Sequence, residues 1–228
     1  MKIRSDTDWR EVAILLGLGA AVFFLWDTVL IYPLRLLVVF FHEMSHGLAA
    51  FATGGRVVEI QVVAAEGGLC ITHGGNRFLT LSAGYLGSIM WGGIILVLAS
   101  RARVHRGLSV VLGIIMLAVT LWLVQPIGSF GFGFGLLAGF VLIAAGFRFN
   151  AAGNKYLLKA IGLVSCAYAI LDIRSDILVR PTACSDAYLL AQHTHVPALV
   201  WGLAWIATAL VFGCYFLVLS SKRKPLAL

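Results

Sequence analysis

His42, Glu43, Met44, Ser45 and His46 form the pattern H-E-x-x-H in a chain of 228 residues. On a helix, a spacing of four brings both imidazoles to one face, where they can share a metal ion, and it places Glu43 beside them. Zinc suits these ligands: held by three protein groups, it lowers the pKa of a bound water to about 7, and an adjacent glutamate then serves as base and proton carrier. The pattern sits inside the apolar run from Leu36 to Phe51. Ionisable groups are costly in lipid and mark functional sites there, so a metal centre explains them better than a buried hydrogen-bonded cluster.

A three-ligand zinc site needs one more donor. Asp172 and Asp176, in the segment AILDIRSDIL, lie four apart on one helical face near the end of a later apolar run, with Arg174 between them. Asp172 lies about 6 Å deeper than Asp176, closer to the level of the histidines, and is the expected third ligand. Asp176 is expected near the headgroups, neutralised by Arg174 and Arg180. The other donors have simpler roles. Asp27 is expected to interact with Arg35, His73 follows a strand-like segment, His105 lies in a basic loop, and His193 and His195 form an H-x-H pair in a loop. Asp186, in CSDAYLLAQ, reads as the N-cap of a short helix.

The elements that must position these residues belong to a membrane protein. The composition is 61% hydrophobic and 12% charged, more apolar surface than a soluble core of this size can hide. Apolar runs place spans at about 11–32, 34–53, 78–100, 107–124, 128–147, 155–179 and 197–219, giving an all-α polytopic bundle of seven transmembrane helices, or six. Lys2, Arg4 and Arg10 precede the first run as in a signal sequence, but no small-residue cleavage site follows, so it reads as a retained span. Residues 1–228 form one domain without linkers or repeats.

The segment from Arg56 to Cys70, rich in Val and Ile and bounded by glycine pairs, reads as a short β-hairpin at the membrane surface after the HExxH helix. The Gly-rich stretch from Gly128 to Gly135 is expected to form a tight turn, a re-entrant segment or a close helix contact. The net charge of +7 reflects basic residues in short groups between apolar runs, which points to topology and anionic headgroups and away from nucleic acid. With seven alternating spans and a cytoplasmic N-terminus, Arg101, Arg103, Arg106 and the Lys222-Arg223-Lys224 tail would fall outside, so charge leaves orientation open. The four cysteines have no CxxC spacing and suggest neither disulfides nor a metal site.

At FFHEMSHGLAAFATGGRVVEI, and again at AGYLGS (Ala83 to Ser88), the chain resembles the M50 peptidases, the site-2 protease group of intramembrane zinc metallopeptidases, and most closely their M50B-like branch. The resemblance implies that His42 and His46 bind zinc, that Glu43 is the catalytic base, and that the hairpin offers an edge on which an extended substrate pairs. The family's third ligand is the aspartate of a Leu-Asp-Gly motif; here Leu171-Asp172 matches two positions and Ile173 replaces the glycine. The expected function is a multi-pass zinc endopeptidase of a bacterial cytoplasmic membrane, cleaving within or beside transmembrane segments of other membrane proteins. A membrane protein that only binds metal, and a metal transporter with His42, His46 and Asp172 along its path, are the alternatives.

Overall fold

The computed structural model describes residues 7–101, 104–174 and 185–222. Its elements in chain order are α1 (Trp9–Phe24), α2 (Tyr32–Ala52), β1 (Arg56–Val62), β2 (Gly68–His73), α3 (Arg77–Arg101), α4 (His105–Leu123), α5 (Phe130–Arg148), α6 (Ala151–Arg174), α7 (Asp186–Thr194) and α8 (Ala198–Ser220). Among the described residues six helices, α2 to α6 and α8, are long and apolar enough to cross a membrane. This is a helical membrane bundle with one small antiparallel sheet.

The expected first span over 11–32 is interrupted. Helix α1 has 16 residues, about 24 Å, and ends at Phe24; hydrogen-bonded turns then lead to α2, where Pro33 occupies the first turn. Contacts between helices fix their directions. Helix α6 is antiparallel to α3, with Ser165 donating to the Ser88 carbonyl at 2.7 Å and Gly162 packed on Leu96. Helix α3 is antiparallel to α2, with Thr80 beside His46 and Trp91 stacked on Phe41. Helix α1 runs parallel to α6: Glu11 pairs with Lys155 and Lys159, and Trp26, just beyond α1, meets Tyr168. Helices α1 and α2 therefore run in the same sense, and the chain first reverses at the hairpin.

Small residues set the helix spacing. A Cβ on Gly92 would meet the Gly162 carbonyl at 2.8 Å, and one on Gly113 the Gly139 carbonyl at 2.6 Å, so α3–α6 and α4–α5 approach at backbone distance. In the Gly-rich stretch Gly128 takes a turn with φ 87°, and a Cβ on Gly135 would strike Thr120 of α4, so the stretch combines a tight turn with a close helix contact. Ser129 caps α5 by accepting from the Phe132 N–H, and a Cβ on Gly131 would fall 2.6 Å from the Val62 carbonyl of β1.

The expected hairpin is present after the HExxH helix, and it folds back along α2. Gly75 packs on Ala50, Val57 and Cys70 on Gly47, and Gly68 on Glu43; Tyr32 donates to the Ala64 carbonyl at 2.7 Å. The tip is held by Arg35, which pairs with Glu66 at 2.8 Å, and by the Tyr168 hydroxyl, which donates to the Glu66 carbonyl at 3.2 Å. A bulge between Val57 and Glu59 lets Val57 pair with Thr72 and Ile60 with Cys70, keeping both on the face toward α2. The free edge of β1 is covered by Gln125, whose N–H donates to the Ile60 carbonyl at 3.0 Å. Among the described residues β2 has no strand on its other edge.

Candidate metal centre

Helix α2 is buried from Leu36 through Gly47, because α3, α6 and the hairpin close around it. His42 and His46 project from one face, their rings edge-on with centroids 4.7 Å apart. His46 Nδ1 lies 2.7 Å from the Thr80 carbonyl, an acceptor only, so Nδ1 carries the proton and Nε2 presents its lone pair. Nε2 of His46 lies 3.1 Å, and Nε2 of His42 3.0 Å, from the same carboxylate oxygen, Oδ2 of Asp186.

A lone pair facing a carboxylate at that distance requires a cation between them, either a proton or a metal. The ligand atoms of His42, His46 and Asp186 all lie within 4.8 Å of one another. Tetrahedral zinc with bonds of about 2.1 Å separates its ligands by about 3.4 Å, so each histidine–aspartate distance would need to lengthen by only a few tenths of an ångström. The donor set fits: two imidazoles, one already oriented through its far nitrogen by a carbonyl, and one carboxylate.

The carboxylate that could complete a metal site with the two imidazoles is Asp186, where the sequence had pointed to Asp172. Asp172 lines the same cavity but stands outside the group formed by the two histidines and Asp186. The reason is positional. The last turns of α6 form the wall nearest the hairpin tip, where Tyr168 reaches Glu66, whereas α7 crosses in front of the imidazoles. Asp186 is the first residue of α7, and its expected capping role falls to Ser185, which accepts from the Tyr188 N–H at 3.3 Å. Its carboxylate is thereby left for the histidines. Ala187 and Leu190 anchor α7 in a cluster with Leu81, Tyr85 and Trp205. Burial opposes ionisation of Asp186, but the His46 and His42 imidazoles outweigh it and hold the carboxyl well below the usual range.

In the sequence Asp186 reads as an N-cap because its neighbours spell a helix start, and nothing local signals that its side chain turns to histidines about 140 residues away. Asp176 lies outside the described residues. Asp27 does meet Arg35, at 3.7 Å, and His105 meets the Ala99 carbonyl at 3.0 Å. His73 ends β2 opposite Arg56, and His193 and His195 close α7; none of the three joins the metal-ligand group.

Glu43 is buried one residue from His42, and Gly68 at the start of β2 lies against its carboxylate. A Cβ there would overlap the Glu43 side chain and force it to move. Cys70 follows on the same strand, and burial, with Glu43 and Asp186 nearby, pushes its thiol up to about 12. The AGYLGS segment has a mechanical role: a Cβ on Gly84 would strike both imidazoles and one on Gly87 would strike Ser45, while Tyr85 packs edge-on against His42 with centroids 5.0 Å apart.

His42, Glu43, His46, Cys70, Tyr85 and Asp186 open into one cavity of about 710 Å³. Glu66, Gly67 and the β2 residues Gly68 to Thr72 line one side, and Arg77, Thr80, Asp172 and Asp186 line the others. The cavity thus joins three donors that could hold a metal ion, a buried carboxylate and an edge of β2 that no described strand pairs. No curated protein and no solved structure matches the chain. The family model that matches is that of the peptidase M50B-like proteins, over residues 15–216, and the chain belongs to that family.

Proposed function

We propose that the protein is a zinc-dependent endopeptidase that cleaves within or beside a transmembrane segment of another membrane protein, with His42, His46 and Asp186 as the metal ligands. The observation that carries this reading is the placement of the Glu43 carboxylate between the imidazole pair and the first residue of an open strand edge, all on one cavity. Zinc in this site would supply Lewis acidity, lowering the pKa of water and polarising the scissile carbonyl.

The chain's own residues do the rest. Thr80 fixes the His46 ring by accepting from Nδ1, and Gly84 leaves room for both rings. Glu43 accepts the proton of the attacking water and delivers it to the departing amide nitrogen. The outer edge of β2 offers backbone donors and acceptors to an extended peptide, which replaces the hydrogen bonds a substrate helix loses when it unwinds.

The test is cleavage of single-span peptides in proteoliposomes, read by mass spectrometry. Wild type is expected to yield a discrete cut near or within the span, and Glu43→Gln none. Equal cleavage by both proteins would remove Glu43 from the chemistry.

A further inference from the structure

We propose that the end of the bundle where α3, α5 and α8 finish and α1, α4 and α6 begin is its cytoplasmic face, seated on anionic lipid headgroups, so that the cavity opens toward the non-cytoplasmic half of the membrane. Contacts gather these six helix ends. The Asp8 N–H donates to the Ser221 carbonyl at 2.7 Å, joining α1 to α8, and Glu11 pairs with Lys155 at 3.2 Å, joining α1 to α6. Ser109 donates to Asn154 at 2.7 Å, joining α4 to α6, and a Cβ on Gly146 of α5 would meet the Arg106 carbonyl at 2.9 Å. His105 meets the Ala99 carbonyl of α3.

Charge separates along the same axis. This end carries Arg10, Arg101, Arg106, Arg148, Lys155, Lys159 and Lys222 against Asp8 and Glu11, seven cations to two anions, or +5. The remaining described charges are four arginines (Arg35, Arg56, Arg77 and Arg174) against six acids (Asp27, Glu43, Glu59, Glu66, Asp172 and Asp186), or −2. Arg10, Arg106, Arg148 and Lys222 are exposed, and in the sequence Lys2, Arg4, Arg103, Arg223 and Lys224, against Asp6, adjoin the same ends. An excess of Lys and Arg flanking the spans on one side marks the cytoplasmic side, and the anionic leaflet there attracts it. Seven alternating spans had scattered these residues over both faces; because α1 and α2 run in the same sense, they fall on one.

The cavity lies at the other end. Its walls are the first turns of α3 (Arg77, Thr80), the last turns of α6 (Tyr168, Asp172) and α7. The consequence for substrates, a scissile bond in the non-cytoplasmic half of the span, rests on the endopeptidase reading; the orientation does not.

The test is labelling of the full-length protein in intact cells by a membrane-impermeant maleimide, read peptide by peptide so that the native cysteines stay in place. His193→Cys at the end of α7 is expected to react at least tenfold faster than Arg148→Cys, which reacts only after permeabilisation. Gln192→Cys and Lys222→Cys form a second pair should either variant fail to accumulate. Faster labelling of residue 148 or 222, or equal labelling of both ends, would overturn the orientation whatever the protein cleaves. Replacing Arg106 and Arg148 with Glu is expected to raise the share of reversed molecules, and an unchanged distribution would count against charge as the cause.

Discussion

Gly84 is the position where one added carbon should cost the most. A Cβ there would fall on His42 Nε2 and 2.6 Å from Cε1 of both His42 and His46, where carbon atoms rest about 3.5–4.0 Å apart. Relief therefore needs a displacement of about 1 Å. The rings cannot yield freely, since His46 is tied to Thr80 and both Nε2 atoms converge on Asp186. Metal bonds tolerate about 0.2 Å, so Gly84→Ala should weaken zinc binding by at least the 10–100-fold that loss of an outer partner costs, with roughly 1–3 kcal/mol of overpacking strain. Gly133→Ala is the control, because nothing lies within 4 Å of its Cβ position. Zinc retained through dialysis against a graded chelator series reads the affinity, and thermal unfolding in detergent reads the strain. If Gly84→Ala holds zinc as tightly as Gly133→Ala, the imidazoles do not need the approach that α3 gives them, and the geometric argument fails.

Glu43→Gln should keep zinc while lowering turnover by about 10²–10⁴, as loss of a general base does; loss of the metal as well would make Glu43 a structural residue. Asp172→Asn should retain zinc under conditions that strip Asp186→Asn, and the opposite order in elemental analysis would restore Asp172 as the ligand. Glu11→Leu leaves Lys159, which is fully buried, without its carboxylate and should destabilise the fold by about 3–5 kcal/mol, with much of the loss recovered by adding Lys159→Met; equal unfolding midpoints for wild type and Glu11→Leu would refute it. As pH falls from 7 to 5, zinc should be released by protonation of the imidazoles (reference pKa about 6.5), while Asp186, held low, stays ionised; release only below pH 4 would point to carboxylate ligands alone.

What the sequence disclosed follows from how local each signal is. HExxH needs only helical spacing to place two imidazoles together, and the long apolar runs named the six spanning helices to within a few residues. The strand-like segment after Gly54-Gly55 announced the hairpin, but its course along α2 depends on Tyr32, Arg35 and Tyr168 reaching Ala64 and Glu66, contacts that no periodicity encodes. The break at Phe24 was hidden because the turns that follow it are as apolar as the helix. Asp186 was passed over for the converse reason. Its neighbours spell a helix start, and the partner that redirects its side chain lies 144 residues away.

The central claim is that two imidazoles and the Asp186 carboxylate hold zinc beside Glu43. Zinc X-ray absorption on the purified protein tests it most directly, because the fine structure reports ligand type and distance at once. The account predicts one zinc per chain with a shell of nitrogen and oxygen at about 2.0–2.2 Å and no sulfur, and an Asp186→Asn protein whose shell is depleted or empty. A sulfur shell near 2.3 Å, which would bring in Cys70, or a wild-type spectrum unchanged by Asp186→Asn, would contradict it.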